Sequence, residues 1–188
     1  MHDPSAYVPM DRRLRLGFAD DFPDHVVGAA LFADISGFTP LTEALVRELG
    51  PQRGAEELTH YLNLVYDAVI DEVHAFRGSV IAFAGDAITC WFGGDDGHRA
   101  TAAALAMQFA MLSFGELVTP AGAAVSLAMK AAVATGPARR FLVGNPEIRL
   151  LDALAGATMV RLAAAEHLAK RGEVIVDETT RFALASTH

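Results

Sequence analysis

Two acidic residues occupy positions from which a carboxylate can act on a ligand. Asp34 ends the run Val26–Ala33, whose near-continuous apolar character is typical of a buried central strand. Asp86 follows Ala84 and Gly85 between two short apolar runs, which predicts a β-hairpin with the acid at its turn. If these strands are neighbours, the two carboxylates converge at one edge of a sheet. Acids placed there could hold two Mg²⁺ ions and leave positions open for phosphate and water.

The residues after Asp34 predict an anion-binding turn. Ser36, Gly37, Phe38 and Thr39 open a helix, and the first N–H groups of a helix are free to bind phosphate oxygens. Gly37 also allows a ligand to approach the backbone closely. A triphosphate could therefore be held beside the two acids without a lysine. The pattern alone leaves a structural role open for both acids, one as a strand-ending residue before a helix cap and the other as a turn residue.

The elements that must position these residues belong to one domain. Residues 1–24 are predicted to be a lead-in segment, and residues 25–188 to form the domain. The order β-α-α-β-β-α-β predicts an α+β sandwich with helices on one face of a mostly antiparallel sheet. The predicted helices are Phe38–Leu49, Arg53–Phe76, His98–Leu117 and Thr158–Lys170, and the predicted strands after the first are Ser79–Phe83, Ala87–Phe92, Val125–Val133 and Glu173–Val176.

Composition excludes several classes of protein. The chain has 188 residues, 52% of them apolar and 20% charged, which is enough for a buried core. A formal charge of −8 argues against a nucleic-acid-binding surface. Cys90 is the only cysteine, so a disulfide framework and a thiolate zinc site are excluded and a cytoplasmic location is expected. No signal peptide is visible, and the apolar stretch Ala102–Phe114 is shorter than the ~18 residues of a membrane span.

Two sequence blocks resemble the signatures of class III adenylyl/guanylyl cyclases. The matching segments are Phe32–Thr39 with Leu41–Glu43, Phe83–Ala87, and between them Ala55–Leu58 and Leu62–Asn63. The pattern is most similar to the C1-type half of the soluble, bicarbonate-responsive branch. Bacterial relatives of that branch carry a lead-in like Ala6–Pro9. The similarity is strong from about residue 6 to 110 and thin from 120 onward.

This resemblance implies a palm-like, ferredoxin-like fold that works as a dimer with active sites at the interface. The implied reaction is the conversion of ATP to cyclic AMP and pyrophosphate with two Mg²⁺ or Mn²⁺ ions. By match, Asp34 and Asp86 are the catalytic metal ligands and the Ile35 carbonyl is a further ligand. The turn Ser36–Thr39 meets the substrate phosphates, chiefly through the amides of its last two residues.

Three positions depart from the family pattern. Ala82 stands where the family has a base-selecting lysine, which also makes bicarbonate sensing doubtful. With Gly156 taken as the glycine before the last helix, Val160 and Ala164 stand where the family has an Asn–Arg pair that stabilises the transition state. Arg161 lies at a different helical angle. These apolar side chains can neither recognise a base nor neutralise charge at phosphorus. The chain is therefore predicted to need a complementary C2-type domain, in the same or another chain, or to work as a homodimer.

Two other functions are considered. The chain could be a non-catalytic, cyclase-like regulatory or dimerisation module, which the three departures favour and the two retained acids disfavour. The segment Gly93–Asp96 resembles the GGDEF signature of diguanylate cyclases, but it follows a strand and opens a helix. An N-cap by Asp95 or Asp96 is predicted there instead. The resemblance predicts that the chain is a piece of a longer protein.

Three basic residues in the C-terminal half are weaker candidates for a phosphate contact. Arg149 is one, and Arg139 and Arg140 are the others, since family members place a basic residue in this region. Consecutive arginines on a hairpin are more commonly solvated surface.

Overall fold

The computed structural model describes residues 24–145 and 149–186, together with Pro9. Most of the predicted lead-in segment, residues 1–24, lies outside this part. The strands are β1 (His25–Ser36), β2 (Ser79–Ala84), β3 (Ala87–Gly93), β4 (Leu117–Val118), β5 (Ala124–Val125), β6 (Ala128–Asn145), β7 (Arg149–Ala155) and β8 (Val174–Val176). The helices are α1 (Phe38–Leu49), α2 (Pro51–Ala75), α3 (His98–Met111), α4 (Ala157–Leu168) and α5 (Glu178–Ala185).

The main sheet has the strand order β2-β3-β1-β6-β7, and β8 pairs with β6 in parallel. Strand β1 lies at the centre, antiparallel to β3 on one side and to β6 on the other. Strands β4 and β5 form a small separate sheet. The predicted α+β class with a mostly antiparallel sheet is confirmed. The predicted neighbourhood of β1 and the β2–β3 hairpin is also present, because β3 pairs directly with β1.

Alternate residues of β1 belong to two apolar cores on opposite faces of the sheet. Leu31 and Ile35 lie in the core that contains residues of α1, α2 and α3. Ala30 lies in the other core, with Leu162 of α4. The prediction that the helices cover one face is therefore wrong, because α4 covers the second. Side chains of a strand alternate between its faces, so Asp34 shares the face of Ala30 and α4.

Helices α1 and α2 pack closely because a glycine lies where they meet. A Cβ at Gly54 would lie 2.9 Å from the backbone of Val46. Helix α2 begins at Pro51, a residue suited to the first helical position because its missing N–H group has no partner to lose there. The close packing brings Tyr66 of α2 against Phe38 of α1, with ring centroids 6.4 Å apart. The sequence predicted α1 with the bounds that the structure shows.

Helix α3 ends before its predicted end at Leu117 and continues only as a short 3₁₀ turn. The start of the helix agrees with the sequence. The side chain of Asp95 accepts hydrogen bonds from the N–H groups of Arg99 and Ala100, at 3.2 and 3.0 Å. The N-cap residue is Gly97 rather than the predicted Asp95 or Asp96, although the Asp95 carboxylate does bind N–H groups of the first turn. The segment Gly93–Asp96 is not placed in a hairpin turn, where the GGDEF motif lies.

The C-terminal half differs most from the prediction. Strand β6 continues to Asn145, whereas the apolar pattern predicted an end at Val133, and β6 forms an antiparallel arm with β7. Gly136 and Pro137 interrupt the apolar pattern without ending the strand. Gly144, Asn145 and Pro146 predict a turn, which lies partly outside the described residues.

Helix α5 was not predicted. Its N-cap is Asp177, whose side chain accepts a hydrogen bond from the N–H of Thr180. The described residues contain no helix that is both long enough and apolar enough to cross a membrane.

Candidate functional site

Asp34 lies near the end of the central strand, two residues before its last residue. It is opposite Ala87 of β3 on one side and Lys130 of β6 on the other. Its side chain is 35% exposed, and its Oδ2 lies 3.5 Å from the Lys130 Nζ. The carboxylate is therefore open to a ligand on the α4 face of the sheet, and a positive charge already lies beside it.

Asp86 lies in the turn between β2 and β3, next to the end of β1. Its carbonyl accepts a hydrogen bond of 3.2 Å from the N–H of Ile35, the residue after Asp34. Gly85 adopts a φ of 63°, which the tight turn needs and which glycine accepts without strain. The side chain of Asp86 is exposed. The two acids therefore meet at one edge of the sheet, as their positions in the sequence predicted.

The turn between β1 and α1 leaves helix N–H groups without partners in the helix. Gly37 precedes the helix with a φ of 110°, and a Cβ there would lie 2.4 Å from the carbonyl oxygen of Ser126. The first N–H with a helical partner is that of Leu41, which donates to the Gly37 carbonyl at 3.2 Å. Pro40 has no N–H, and no side chain caps the helix. The amides of Phe38 and Thr39 are thus the ones that can meet an anion, beside both acids.

The ring of Tyr66 lies between the aromatic rings of Phe38 and Phe83, a contact that sequence analysis missed. The Tyr66 and Phe83 rings meet edge to face with centroids 5.6 Å apart. The hydroxyl of Tyr66 donates a long hydrogen bond of 3.5 Å to the Gly85 carbonyl. Burial raises the pKa of Tyr66 above its ordinary value, and the negative charges of Asp86 and then of Asp34 raise it further. Tyr66 therefore links α2 to the turn that carries Asp86.

An open cavity of about 420 Å³ adjoins this turn. Its lining combines aromatic and aliphatic side chains with three hydroxyls and one carboxylate: Phe38, Thr39, Thr42, Leu58, Leu62, Tyr66, Gly85 and Asp86. The start of α1 and Asp86 thus border one space. We call Asp34, Asp86 and the turn Gly37–Thr39 the acidic edge.

Lys130 and Glu166 complete the surroundings of Asp34, and neither was identified from the sequence. The Lys130 Nζ donates a hydrogen bond of 2.5 Å to the Glu166 Oε1, on α4. That hydrogen bond is the main reason why the pKa of Lys130 is raised, and Asp34 contributes less. The sequence offered one signal for Lys130, its position as a lysine within the apolar run of β6. Its meaning depends on the strand register, which places it opposite Asp34.

The donor set at the acidic edge fits a divalent cation that keeps open coordination positions. The described residues contain no group of three or more His, Cys, Asp or Glu side chains that could hold a metal. An ion at the acidic edge would have two carboxylate ligands, Asp34 and Asp86, with the Ile35 carbonyl beside them. Such oxygen donors suit Mg²⁺ and Mn²⁺, which take their remaining ligands from water and phosphate. The carboxylate of Asp34 already has one cationic neighbour, the ammonium of Lys130 at 3.5 Å.

The two positions that the resemblance assigns to an Asn–Arg pair lie on the surface of α4. Val160 is 71% exposed and Ala164 is also exposed, one helical turn further on. We call these two residues the outer face of α4. Arg161 points away from this face, because its Nε donates to the Asp177 Oδ2 at 2.7 Å and its Nη2 donates to the Thr135 carbonyl at 2.7 Å. Arg161 is therefore held within the fold. Ala82, in β2, is exposed and apolar.

The three arginines considered as phosphate contacts lie in different surroundings. The side chains of Arg140 and Asp152 form an ion pair of 2.6 Å across the β6–β7 arm, each only 2% exposed. Both alternatives for Arg140, a phosphate contact and solvated surface, are therefore contradicted. Arg139 is exposed, with its Nη2 3.4 Å from the His25 Nε2. Arg149 begins β7, and its side chain lies outside the described residues.

The chain is similar over part of its length to curated mammalian proteins. It is 42% identical to human adenylate cyclase type 10 over 67 residues, which are 36% of this chain and 4% of the human protein. It is 43% identical to the rat protein of the same name over 61 residues, 32% of this chain and again 4% of the relative. No family model matches the chain.

Solved structures share the fold over most of the chain. A bacterial light-regulated adenylyl cyclase covers 95% of this chain and is covered over 52% of its own, with 16% identity and a TM-score of 0.68. The adenylyl cyclase CyaB from P. aeruginosa has 21% identity and a TM-score of 0.61, with 87% of this chain and 82% of that one covered.

A dimeric guanylyl cyclase domain from the fungus Blastocladiella emersonii has 17% identity and a TM-score of 0.66, with 87% and 86% covered. Adenylyl and guanylyl cyclases are thus both among the structures with this fold. The resemblance seen in the two signature blocks is confirmed, and the chain has the fold of class III adenylyl/guanylyl cyclase catalytic domains.

Proposed function

We propose that this chain is an adenylyl cyclase domain that supplies the metal-binding half of a composite site and converts ATP to cyclic AMP and pyrophosphate with a complementary domain. The observation that carries the proposal is the meeting of Asp34 and Asp86 beside the uncapped start of α1. The sequence match to adenylate cyclase type 10 supports ATP as the substrate. A cytoplasmic location belongs to the same proposal.

Each residue of the acidic edge has a proposed task. Asp34 and Asp86 hold the divalent cations, and the Ile35 carbonyl adds an oxygen ligand. When bound, two such ions supply positive charge that favours attack of the ribose 3′-oxygen on the α-phosphorus and departure of pyrophosphate. The amides of Phe38 and Thr39 orient the phosphates, since a helix start attracts anions. The close contact at Gly37 keeps that turn rigid.

A partner domain supplies the remaining groups in this proposal. Ala82, Val160 and Ala164 have no donor that could recognise adenine or neutralise charge in the transition state. Two copies of this chain would lack these groups at both sites. A C2-type domain that carries the lysine, the asparagine and the arginine would complete one site with the acidic edge. The choice between ATP and GTP is then made by that partner.

The test is nucleotide turnover with Mg²⁺ and with Mn²⁺, measured by chromatography of the products. The chain is assayed alone and then mixed with a C2-type domain, with ATP and GTP in parallel. We expect negligible cyclic AMP from the chain alone and clear production from the mixture. Asp34→Asn should abolish turnover, whereas Asp71→Asn, which changes an exposed acid on α2, should leave it intact.

Two results would contradict the proposal. Robust turnover by the chain alone would rule out the divided site. Absence of turnover in every mixture, together with absence of Mn²⁺ binding by calorimetry, would rule out a catalytic role.

The second candidate function is a non-catalytic module that binds metal or nucleotide and pairs with another domain. The apolar outer face of α4 favours it, because a surface without polar groups is suited to contact rather than to chemistry. Saturable binding of Mn²⁺ and ATP without turnover in any mixture would support this candidate over the first.

A further inference from the structure

Lys130 places a positive charge beside the carboxylate of Asp34, which is proposed to bind metal. Because β1 and β6 pair with Asp34 opposite Lys130, the two side chains leave the sheet on the same face. Their charged atoms, Oδ2 and Nζ, are 3.5 Å apart. A divalent cation at Asp34 would be repelled by this ammonium group unless the lysine moved away.

Glu166 offers the lysine a second and closer partner. Its Oε1 lies 2.5 Å from the Lys130 Nζ, nearer than the 3.5 Å that separates this nitrogen from the carboxylate of Asp34. Glu166 lies on α4 and not on either of the two strands. Its side chain is 18% exposed. Lys130 can therefore leave Asp34 without becoming an unpaired charge. His167, whose Nδ1 is 3.7 Å from the other oxygen of Glu166, is the further titratable neighbour of this group.

We propose that Lys130 is an internal counter-ion that Asp34 and Glu166 share in the metal-free protein, and that a divalent cation bound at Asp34 leaves the lysine paired with Glu166 alone. Lys130 and Glu166 are then positioning residues that set the metal affinity of the acidic edge. Lys130 lowers this affinity by competing for Asp34. Glu166 raises it by withdrawing Lys130. The inference rests on the proposed metal-binding role of Asp34.

The test measures Mn²⁺ binding to the full chain without nucleotide, by calorimetry or by the electron paramagnetic resonance signal of free Mn²⁺. We expect Lys130→Met to tighten binding about three- to tenfold, because a like charge is removed from the site. Glu166→Gln should weaken binding about tenfold, in the range typical of residues that orient metal ligands. Lys130→Arg, which keeps the charge, should bind Mn²⁺ less tightly than Lys130→Met.

The double variant Lys130→Met/Glu166→Gln decides whether Glu166 acts through the lysine. If it does, the double variant binds Mn²⁺ as tightly as Lys130→Met alone. A further tenfold loss in the double variant would show that Glu166 acts on the metal directly and would overturn the inference. Unchanged or weaker binding by Lys130→Met would also overturn it.

Thermal unfolding in EDTA provides a readout that is independent of metal affinity. Lys130→Met leaves Asp34 and Glu166 without their shared cation, so its Tm should fall by on the order of 3 °C. Added Mn²⁺ should raise the Tm of this variant more than that of the unchanged chain. If the unchanged chain binds no Mn²⁺, this inference fails, and the proposed function fails with it when turnover is also absent from every mixture. If it binds Mn²⁺ and the variants bind equally, only this inference fails.

Discussion

In the proposed function, the acidic edge and the outer face of α4 correspond to two halves of one active site, and only the acidic edge carries polar groups. At the acidic edge, Asp34 and Asp86 meet beside a helix start with free N–H groups. On the outer face of α4, Val160 and Ala164 are exposed and apolar. Both regions lie on regular secondary structure, the first on the sheet and the second on α4. Under the proposed function, the difference between the two regions means that the fold keeps the metal-binding groups and leaves the remaining groups to a partner domain.

The largest expected effect comes from removing a charge at the acidic edge. Asp86→Asn should lower turnover of the assembled pair by about a thousandfold or more, since metal ions contribute several kcal/mol of charge stabilisation. Val160→Ala, on the outer face of α4, should change turnover by less than about threefold, because it removes no polar group. Steady-state assays with the C2-type partner compare the two. Equal losses in both variants would remove the functional difference between the regions.

A triple substitution tests the same comparison by adding polar groups instead of removing them. The triple variant Ala82→Lys/Val160→Asn/Ala164→Arg gives this chain the groups that it lacks. We expect the variant to produce cyclic AMP without a partner domain, on the order of tenfold above the parent chain, because each restored group stabilises transition-state charge. The same three changes combined with Asp34→Asn should stay inactive. Turnover that survives Asp34→Asn would argue against the metal-binding role of the acidic edge.

Gly37→Ala tests how rigidly the acidic edge is built. The φ of Gly37 is 110°, and an added Cβ would lie only 2.4 Å from the Ser126 carbonyl oxygen, so the position has no room for a side chain. We expect a loss of about 3 kcal/mol in the free energy of unfolding, measured by urea denaturation. Gly94→Ala is the matched control, because its φ is 64° and its Cβ would meet no atom within 4 Å. Its loss should be about 1 kcal/mol.

Arg161→Met tests the inner side of α4. Burial alone would raise the pKa of Asp177, but hydrogen bonds from Thr180 and Arg161 outweigh burial and lower it below its ordinary value of 3.8. A lowered carboxyl pKa gives stability above pH 3.8 that is lost as the pH falls through the folded-state value. The variant should therefore lose about 2 kcal/mol near neutral pH, and this loss should shrink in acid to the part that comes from the hydrogen bond of Arg161 to the Thr135 carbonyl.

The pH dependence of Tm, followed by circular dichroism, checks this prediction. Arg181→Met is the control, since this arginine is 60% exposed and its Nη2 lies 3.9 Å from the Glu178 Oε1, a distance typical of a weak surface pair. A constant difference between Arg161→Met and the unchanged chain at every pH would show that Asp177 is not the group involved.

The smallest effect is expected from Tyr66→Phe. The variant removes the 3.5 Å hydrogen bond to the Gly85 carbonyl and keeps the contacts with Phe38 and Phe83. Its stability should change by less than about 1 kcal/mol. If Tyr66 positions the turn of Asp86, the KM for Mn²⁺-ATP should rise a few-fold. An unchanged KM would restrict Tyr66 to packing.

Local patterns predicted the half of the molecule that carries the acids. The bounds of α1 and the β2–β3 hairpin agree with the structure, because glycines and alternation between apolar and polar residues act over a few residues. The long arm of β6 and β7 was missed because Gly136 and Pro137 interrupt its apolar pattern. The buried pair of Arg140 and Asp152 was missed because two residues 12 positions apart meet only through the strand register.

The sequence by itself determined the acidic edge, since both acids and the turn Gly37–Thr39 lie next to strong local signals. It also determined that the side chains of Ala82, Val160 and Ala164 carry no donor, because residue type alone shows this. Tertiary structure alone decided which charges surround Asp34. Lys130 and Glu166 come from a strand and a helix far along the chain, and only sheet register and the packing of α4 bring them together. Such contacts depend on distance in space, which no local pattern records.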